Sequence, residues 1–218
     1  PRVVASSLGY RPGDAPWARE VTPATDITRA IAEAKGTGAS GLKVYAGLDA
    51  AQAARAIGEA RRQGLRTVAH GTVFPARPGD LVAAGVTMLT HAAYLVWEGS
   101  EPTPRFQDRA RGDFSHVPAD GSVMEALLRR MRDQHVALNP TLWIFAEGSA
   151  KDDLAATRTP WMNAVTKRAS DLGVAIVAGT DGLLEPGSSG LPLLHRELEA
   201  EVVAGLTPMQ AIVSATGA

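Results

Sequence analysis

Short apolar runs alternate with amphipathic stretches along this chain. Six runs are rich in aliphatic and β-branched residues and nearly free of polar side chains, which is typical of strands buried on both faces of a parallel sheet. The predicted strands cover residues 2–6, 42–46, 66–70, 86–91, 136–145 and 174–179, the fifth of them interrupted by Pro140.

The stretches between these runs carry apolar residues at helical spacing. They predict helices over residues 26–35, 50–63, 78–84, 122–134, 160–172 and 193–204. Asp26, preceded by Thr25, and Asp49 stand where N-capping residues are expected. A glycine follows five of the helices, as expected at a helix C-terminus, at positions 36, 64, 85, 173 and 205.

Strands that alternate with helices predict βα units and an α/β fold with a parallel sheet. An open doubly wound sheet fits six strands, but the G-x-G-x-x-G loop and the P-loop are absent from the sequence. A (β/α)8 TIM-barrel type that lacks two units fits equally well. Residues 1–218 are interpreted as a single domain, with a long loop excursion over residues 98–118.

The amino-acid composition excludes several kinds of partner and of chemistry. The 218 residues carry a net charge of −1 and no cysteine. Near-neutral charge argues against nucleic acid as the partner, and no apolar run approaches the roughly 18 residues of a membrane span. The lack of cysteine excludes disulfides, Cys-ligated zinc and thiol nucleophiles. Localisation stays unknown: cytoplasmic is favoured, and secretion is not excluded because the native N-terminus is expected to be missing.

Candidate chemistry stands at the predicted strand ends. Lys43 interrupts the second strand, His70 and His91 end the third and fourth, and Asp181 follows the last. In parallel α/β folds the carboxyl ends of strands form the ligand-binding edge, so these side chains are expected to converge. Two imidazoles and a carboxylate are a usual ligand set for Zn²⁺ or a similar ion.

Each of these residues also has a structural interpretation when it is taken alone. A strand-end histidine is usually a hydrogen-bonded structural residue, a strand lysine usually extends its amine to solvent, and Thr180-Asp181-Gly182 forms an ordinary turn. The occurrence of all four residues at strand ends favours one shared site. Lys43 is one of only four lysines against eighteen arginines; an unpaired buried ammonium is costly, so it would be neutral, paired or chemically modified.

The order and surroundings of these residues resemble the amidohydrolase superfamily of metal-dependent hydrolases. The tail is similar to the segment after the last barrel strand in the imidazolonepropionase-like and prolidase-like branches. The resembling pieces are Gly41-Leu42-Lys43-Val44-Tyr45, Val68-Ala69-His70, Ala84-Gly85-Val86 leading to Thr90-His91, Ala178-Gly179-Thr180-Asp181-Gly182, Leu194-His195-Arg196-Glu197-Leu198 and Ala204 to Ala211.

The resemblance implies one or two divalent metal ions, with zinc the first choice. Lys43 would be a carboxylated, metal-bridging lysine on barrel strand four, and His70 and His91 would be ligands of one metal on strands five and six. Pro140-Thr141-Leu142 would belong to strand seven. Asp181, on strand eight, would bind the other metal and accept the proton of the attacking water.

The chain departs from this family in one respect. The family begins with a His-x-His pair on strand one, and the sequence has no such pair. The first predicted strand would then be strand three, so that about strands three to eight are present. We therefore expect the chain to be a fragment that lacks the first barrel strands. Its opening at Pro1 and its end inside a helical pattern agree with this expectation.

By the same resemblance the enzyme would cleave an amide, a cyclic amide or a short peptide bond, with esters also possible substrates. Tyr45, Tyr94 and His195 are candidate substrate contacts, although the tyrosines also suit packing and His195 also suits a helix cap. The loop arginines at positions 105, 109 and 111 would either bind a substrate carboxylate or lie on a solvated face. The remaining histidines, His116 and His135, are expected to lie outside the site.

Two other classes of function stay open. A barrel aldolase could use Lys43 as a Schiff-base nucleophile, although it would leave the paired His70 and His91 without a role. A catalytically incomplete fragment or binding domain would explain the missing His-x-His pair. The expected partner is a small-molecule or short-peptide substrate, without nucleic acid or membrane. A homo-oligomer is possible, since a truncated barrel exposes strand edges.

Overall fold

The computed structural model describes residues 5–13, 18–101, 104–109, 111–147, 154–182 and 192–217. Its centre is a six-stranded sheet in the order β2-β1-β3-β4-β5-β6, in which every neighbouring pair is parallel. The strands are β1 (Ser6–Arg11), β2 (Ala18–Glu20), β3 (Gly41–Val44), β4 (Arg66–His70), β5 (Met88–Thr90) and β6 (Ala137–Asn139).

Eight α-helices and two 3₁₀ helices surround the sheet in the described part of the chain. The α-helices are α1 (Ile27–Gly36), α2 (Ala50–Arg62), α3 (Pro78–Ala83), α4 (Ser122–Asp133), α5 (Leu142–Glu147), α6 (Ala155–Asp171), α7 (Leu193–Val203) and α8 (Pro208–Thr216). The 3₁₀ helices are Ala92–Glu98 and Phe106–Asp108. No described helix is long and apolar enough to span a membrane.

Local chemistry explains where the first helices begin and end. Asp26 caps α1 by accepting from the amide of Arg29 at 3.0 Å, and Asp49 forms a reciprocal capping box with Gln52 on α2. Both predicted caps are therefore confirmed. Gly36, by contrast, is the last residue of α1, and the left-handed residue that follows the helix is Gly38, with φ of 91°.

The core lies between the sheet and its helices. One apolar cluster joins the sheet to residues of α2 and α4. Its fully buried members on the sheet include Leu42 on β3, Ala69 on β4, Leu89 on β5 and Leu138 on β6. Each of these short strands therefore has a buried face, as expected for a parallel sheet covered by helices. The same register brings the carboxyl ends of β3, β4 and β5 together at one edge.

The first predicted strand is displaced in the structure. The strand near the N-terminus, β1, begins at Ser6, the last residue of the predicted range, while residues 1–4 lie outside the described residues. The short strand β2 was missed, because three residues of mixed polarity carry no usable pattern. It pairs with the outer edge of β1, so the sheet gains a strand that the sequence did not indicate.

The predicted strand over residues 136–145 is wrong in its second half. Strand β6 ends at Asn139 and α5 begins at Leu142. Pro140 has no amide to donate to a sheet, and Thr141 takes a left-handed backbone with φ of 49°, so the chain turns between the two. The amides of the first two residues of α5 then donate to the side chain of Glu197.

Two further predicted elements differ in extent. The run 174–179 pairs with β6 only through an isolated bridge between Leu138 and Ile176. Helix α6 begins at Ala155 rather than at Pro160, which lies inside the helix. Proline is usual in the first helical turn, so Pro160 wrongly indicates the beginning of the helix. In the described residues the sheet is open, with β2 and β6 at its edges.

Candidate active site

Three of the four candidate metal ligands lie at the carboxyl edge of neighbouring strands. Lys43 is the third residue of β3, His70 is the last residue of β4, and His91 directly follows β5. Because β4 lies between β3 and β5, His70 occupies the middle position. The parallel register pairs Lys43 with Val68 and His70 with Thr90, so the three residues lie along one edge of the sheet, with Lys43 two positions before the level of His70.

The two imidazoles are in contact. The ring centroids of His70 and His91 lie 4.6 Å apart, and the residues are 5% and 3% exposed. The ring of Tyr45 packs edge-on against His70, at 4.3 Å between centroids. Water is therefore largely excluded from the histidine pair.

Burial keeps both histidines neutral. It lowers the pKa of His70 well below its ordinary value, and the charges of His91, Lys43 and Arg109 act in the same direction. Burial also lowers the pKa of His91 well below its ordinary value, again with help from Lys43. A neutral imidazole has one nitrogen lone pair, which can bind a metal ion or accept a hydrogen bond.

Lys43 is held inside the protein by a hydroxyl. Its Nζ donates to Thr90 Oγ1 at 3.1 Å, and that hydroxyl donates in turn to the carbonyl of Ala69 at 3.1 Å. Burial lowers the pKa of Lys43 to about 8, and the negative charge of Asp181 opposes the shift. About a tenth of this amine is therefore unprotonated at pH 7, far more than of an exposed lysine.

Asp181 lies at the rim of the site. Its Oδ2 is 3.9 Å from His91 Nε2, and its side chain is 62% exposed. Partial desolvation by surrounding protein atoms raises the pKa of Asp181, while the nearby charge of Lys43 lowers it. The carboxylate thus faces the histidine pair from solvent, beyond hydrogen-bond distance.

A single hydroxyl orients His91. Its Nδ1 lies 2.9 Å from Thr141 Oγ1, and its backbone amide donates to the carbonyl of Asn139. This leaves Nε2 as the nitrogen that faces Asp181. His70 differs, because its Nδ1 is buried and has no hydrogen-bond partner.

The donor chemistry fits a divalent metal ion, although the donors are not assembled around one point. Two neutral imidazoles, a carboxylate and an amine of low pKa are nitrogen and oxygen donors of the kind zinc prefers, and the unpartnered Nδ1 of His70 marks a donor with unused capacity. Within the described residues, no three His, Asp or Glu side chains are arranged to hold one ion.

Backbone strain concentrates at this edge of the sheet. Five described non-glycine residues have a left-handed backbone, and four of them border the site: Phe74, His91, Thr141 and Asp181, with φ between 49° and 72°. The fifth is His135, in the turn before β6. Strained conformations persist where the surrounding structure holds them, and such positions cluster at functional sites.

Aromatic side chains cover one side of the histidine pair. Tyr94, in the first 3₁₀ helix, stacks on His70 at 5.6 Å and meets His91 edge-on at 5.3 Å. Phe145 of α5 lies 5.7 Å from the His91 ring and 5.6 Å from the Tyr94 ring. Burial raises the pKa of Tyr94 to about 12, against the opposing charge of Arg109, so its hydroxyl stays protonated.

The loop excursion predicted over residues 98–118 closes over this wall. Phe106 packs against Tyr45 and Phe74 at 5.8 Å each, and the Arg109 guanidinium lies 4.3 Å above the Phe106 ring. Arg109 also hydrogen-bonds the Tyr94 side chain. It is thus the loop arginine that turns toward the site.

The other loop arginines form ion pairs within the loop. Arg105 and Arg111 lie 2.6 and 4.0 Å from Asp108, and their side chains are 74% and 79% exposed. His116 pairs with Asp113 at 2.8 Å, outside the site. Both arginines are mostly exposed, and substrate binding by any of the three loop arginines stays a prediction.

His195 lies apart from the other candidates. It is exposed in the first turn of α7, and no contact of its side chain with the histidine pair is found among the described residues. Residues 183–191, between Asp181 and α7, lie outside the described residues. The structure therefore places Tyr45 and Tyr94 against the histidine pair and places His195 elsewhere.

An open cleft of about 740 Å³ adjoins the aromatic wall. Phe74 and Phe106 form its inner side, where they also touch Tyr45 or Tyr94. Arg11 and Arg105 add positive charge to a lining that is mainly apolar and includes one amide side chain, that of Gln107. The cleft is large enough for a small molecule or the side chains of a dipeptide.

The sequence pattern missed several residues that build the site. Thr90 and Thr141 are ordinary hydroxyl residues in sequence, yet one holds Lys43 and the other holds His91. Glu197 has no role of its own in the sequence analysis, yet it is fully buried against the start of α5. The signals that the sequence offered were the neighbours of these residues: Thr90 stands beside His91, Thr141 beside Pro140, and Glu197 within the segment Leu194 to Leu198 that resembles the family.

Solved structures share this fold. The chain is similar to Aspergillus niger ochratoxinase (TM-score 0.66, 19% identity, 97% of this chain and 47% of that one). It is similar to a bottromycin amidohydrolase (0.63, 18%, 95% and 52%) and to an uncharacterised protein (0.61, 17%, 92% and 47%). No protein-family model matches the chain, and no curated protein matches it.

These comparisons establish an amidohydrolase-like α/β fold. The chain spans about half the length of the structures it matches. At identities of 17 to 19%, the likeness concerns the fold alone, and the activity of the whole protein is a separate matter.

Proposed function

We propose that this chain carries most of the active site of a metal-dependent hydrolase that cleaves an amide, cyclic amide or short peptide bond. The observation that carries the proposal is the pair of neutral, buried histidines at successive strand ends, with Lys43 on the next strand and Asp181 above them. The resemblance of the sequence motifs and the fold shared with two proteins named as amidohydrolase and ochratoxinase support the same reading.

The proposal extends to the architecture. We interpret β1, β3, β4, β5, β6 and the run around Ile176 as strands three to eight of a (β/α)8 barrel of the imidazolonepropionase-like or prolidase-like type. On this view the first two strands, with the His-x-His pair, lie in sequence beyond these 218 residues. The chain covers about half the length of the solved structures that it matches, which supports this assignment of the strands.

His70, His91 and Lys43 would hold a divalent ion, with zinc expected first. Such an ion supplies Lewis acidity, which lowers the pKa of a water molecule and polarises a substrate carbonyl. Lys43 fits this role as a carbamate, because its low pKa provides the neutral amine that attacks CO₂. In that step an N–C bond forms and the amine releases one proton to solvent.

The chain's own residues divide the remaining work. Asp181 accepts the proton of the attacking water as the C–O bond forms, and it returns this proton to the amide nitrogen as the C–N bond breaks. Its raised pKa makes the carboxylate a stronger base, which favours acceptance of the proton from the attacking water. Tyr94 and Arg109 lie where they can donate to the substrate, and the apolar cleft beside Phe106 accepts its hydrophobic part.

Metal content tests this proposal directly. The chain is purified without chelator, loaded with zinc and dialysed, and its zinc is measured beside that of Lys43→Ala and His70→Ala variants. We expect about one equivalent in the wild type and a loss in both variants. Lys167→Ala, which removes an exposed lysine on α6, is the matched control and retains the metal.

The outcome that overturns the proposal is equal zinc content in all four proteins, or none in any of them. Hydrolysis is then assayed on N-acyl amino acids and dipeptides, with a longer protein that includes the expected strands one and two. An active longer protein whose activity survives Lys43→Ala and His70→Ala would also contradict the assignment.

The low pKa of Lys43 favours a second candidate, a Schiff-base aldolase. In that reaction the neutral Nζ attacks a substrate carbonyl, water leaves, and an imine forms. Borohydride reduction in the presence of pyruvate traps such an imine as a stable mass increase on Lys43. We expect no adduct, and an adduct that is absent in Lys43→Arg would favour the aldolase instead.

A further inference from the structure

Asp181 follows a run that has little support from the sheet. The run touches β6 through an isolated bridge at Ile176, and Ala178 donates its amide to the carbonyl of Ser214 at 3.0 Å. Asp181 itself has a left-handed backbone, with φ of 49°, and its side chain is 62% exposed. The position of its carboxylate therefore depends on what holds the turn over residues 179–182.

Gly182 brings the backbone of this turn directly against two side chains. A Cβ atom at position 182 would lie 2.7 Å from Leu193 Cδ1 and 3.0 Å from Trp143 Cζ3. Glycine is the residue that permits so close an approach of the backbone. The amide of Gly182 also donates to Thr180 Oγ1 at 3.2 Å, within the turn. The indole of Trp143 thus forms a surface on which the turn rests.

A second glycine makes a similar contact just before Asp181. A Cβ atom at Gly179 would collide with Asn139 Nδ2 and would lie 2.9 Å from its Oδ1. Asn139 ends β6, and Trp143 is the second residue of α5. One short segment between β6 and α5 therefore packs on both glycines of the turn.

The same segment contacts His91. Thr141 Oγ1 lies 2.9 Å from His91 Nδ1, and the amide of His91 donates to the carbonyl of Asn139 at 2.9 Å. The segment thus touches both partners of the 3.9 Å approach between His91 Nε2 and Asp181 Oδ2. Its packing against the turn therefore sets the distance between the imidazole and the carboxylate.

Within this segment, the backbone of Trp143 is anchored from behind. Its amide donates to Glu197 Oε2 at 2.8 Å, and the amide of Leu142 donates to Oε1 at 2.9 Å. Glu197 is fully buried on α7, the helix that begins at Leu193. The indole is a large and rigid ring with two side-chain torsions. The amide of Asn139 and the methyl group of Leu193, by contrast, are the ends of side chains that can turn aside.

We propose that Trp143 is a positioning residue for Asp181: its indole supports the backbone at Gly182 and thereby holds the carboxylate opposite His91 Nε2. This inference rests on the proposed function for its purpose, since Asp181 is there the group that moves the proton. Its physical content is the order of one turn, which depends on neither a metal ion nor a reaction. The buried Nε1 of Trp143 has no hydrogen-bond partner among the described residues, so the ring acts through its shape.

The first test measures the order of this turn in the metal-free chain. Backbone ¹⁵N relaxation gives the order parameter of the Asp181 amide in the wild type, in Trp143→Ala and in Trp143→Phe. We expect about 0.85 in the wild type, which is typical of a rigid backbone, and below about 0.6 in Trp143→Ala. Trp143→Phe keeps a ring and loses no side-chain hydrogen bond, so its value should stay close to that of the wild type.

Trp161→Ala is the matched control. Trp161 lies on α6, where it packs on Phe114 and donates to the carbonyl of Val117, so its loss removes packing away from the turn. Gly182→Ala changes the same contact from the side of the turn, and it should lower the order parameter with Trp143 in place. Far-UV circular dichroism is recorded so that only folded proteins are compared. An Asp181 order parameter that is unchanged in Trp143→Ala and Gly182→Ala, or that falls equally in Trp161→Ala, overturns the proposal.

The second test separates positioning from a general structural role. In the longer protein that includes the expected strands one and two, Trp143→Ala should lower kcat about 100-fold with little change in KM, the size of loss that a displacement of about 1 Å causes. Added to Asp181→Asn, it should cause little further loss, because Trp143 acts through that carboxylate. Losses that multiply contradict the positioning role.

The two hypotheses can fail separately. A turn that loses order as expected, in a chain that binds no zinc, contradicts the proposed function alone. Zinc binding and hydrolysis that depend on His70, with a turn that stays ordered in Trp143→Ala, contradict the positioning role alone.

Discussion

The two sides of the candidate site are built differently. On one side, Lys43, His70 and His91 are at or near the ends of paired strands, and the rings of Tyr45 and Tyr94 pack against the histidines. On the other side, Asp181 follows a run that touches the sheet through one bridge, at Ile176 and Leu138, and its side chain is 62% exposed.

Side-chain packing positions the residues on the first side, whereas backbone conformation positions Asp181 on the second. The histidines are held by strand register and by the close packing of neighbouring rings, which leave little room for other rotamers. Asp181 is held by a left-handed backbone and by the glycine-containing turn around it. A substitution on the first side should therefore change stability, while a substitution on the second should change activity alone.

The sharpest test of this contrast is Asp181→Asn. The amide cannot accept the proton of the attacking water, so we expect kcat of the active protein to fall about 1,000-fold, within the range for a lost general base. The free energy of unfolding should change by less than about 0.5 kcal/mol, because the side chain is exposed. Steady-state kinetics and urea denaturation measure the two quantities; a large loss of stability would show that Asp181 is a structural residue.

The packed side should respond in the opposite way. Leu89→Ala removes a fully buried side chain from β5, the strand that His91 follows, and it should cost about 3 kcal/mol of unfolding free energy. Ile176→Ala, on the bridging run, removes a partly buried side chain and should cost about 1 kcal/mol. Urea denaturation of both variants gives the difference, and equal losses would remove the distinction between the two sides.

Stability should also depend on pH through the buried acids of α7. Burial raises the pKa of both Glu197 and Glu201 to about 7 from 4.5. The folded state then binds more protons than the unfolded state between pH 4.5 and 7, so the free energy of unfolding falls as pH rises through this window.

The Glu201→Gln variant isolates one of these carboxyls. Removing this carboxyl should reduce the pH-dependent decrease in the free energy of unfolding by on the order of 2 kcal/mol. Denaturation curves at pH 5, 6, 7 and 8 for wild type and variant provide the measurement, with the exposed residue Glu199 changed to Gln as control. Parallel pH profiles for Glu201→Gln and wild type would show that Glu201 ionises normally in the folded protein.

The smallest expected effect concerns the loop that covers the packed side. Arg109→Ala removes the guanidinium above Phe106 and its hydrogen bond to Tyr94, whereas Arg111→Ala removes an exposed arginine of the same loop. For a substrate with a free carboxylate, KM should rise about fivefold in the first variant, roughly 1 kcal/mol. It should stay within about twofold in the second. Equal KM values in the two variants would assign Arg109 to loop packing.

Local rules predicted most elements and failed where distant residues decide. The helices from α1 to α4 follow from caps, glycines and apolar spacing, all short-range signals in the chain. The turn after β6 does not, because Leu142 and Trp143 find their partner in Glu197, more than fifty residues away. The weak pairing around Ile176 likewise depends on β6 and not on its own apolar run.

Much the same division applies to the site. The sequence by itself indicated which residue types could act and that Lys43, His70 and His91 would lie at one edge of the sheet, because parallel strands bring their carboxyl ends together there. Only the tertiary structure decided the state of each group. Burial sets the pKa of Lys43 at about 8 and keeps the histidines neutral, and contacts from distant segments assign Thr90 to Lys43 and Thr141 to His91. Desolvation and hydrogen bonding depend on the atoms that surround a group in space, and a linear pattern does not contain them.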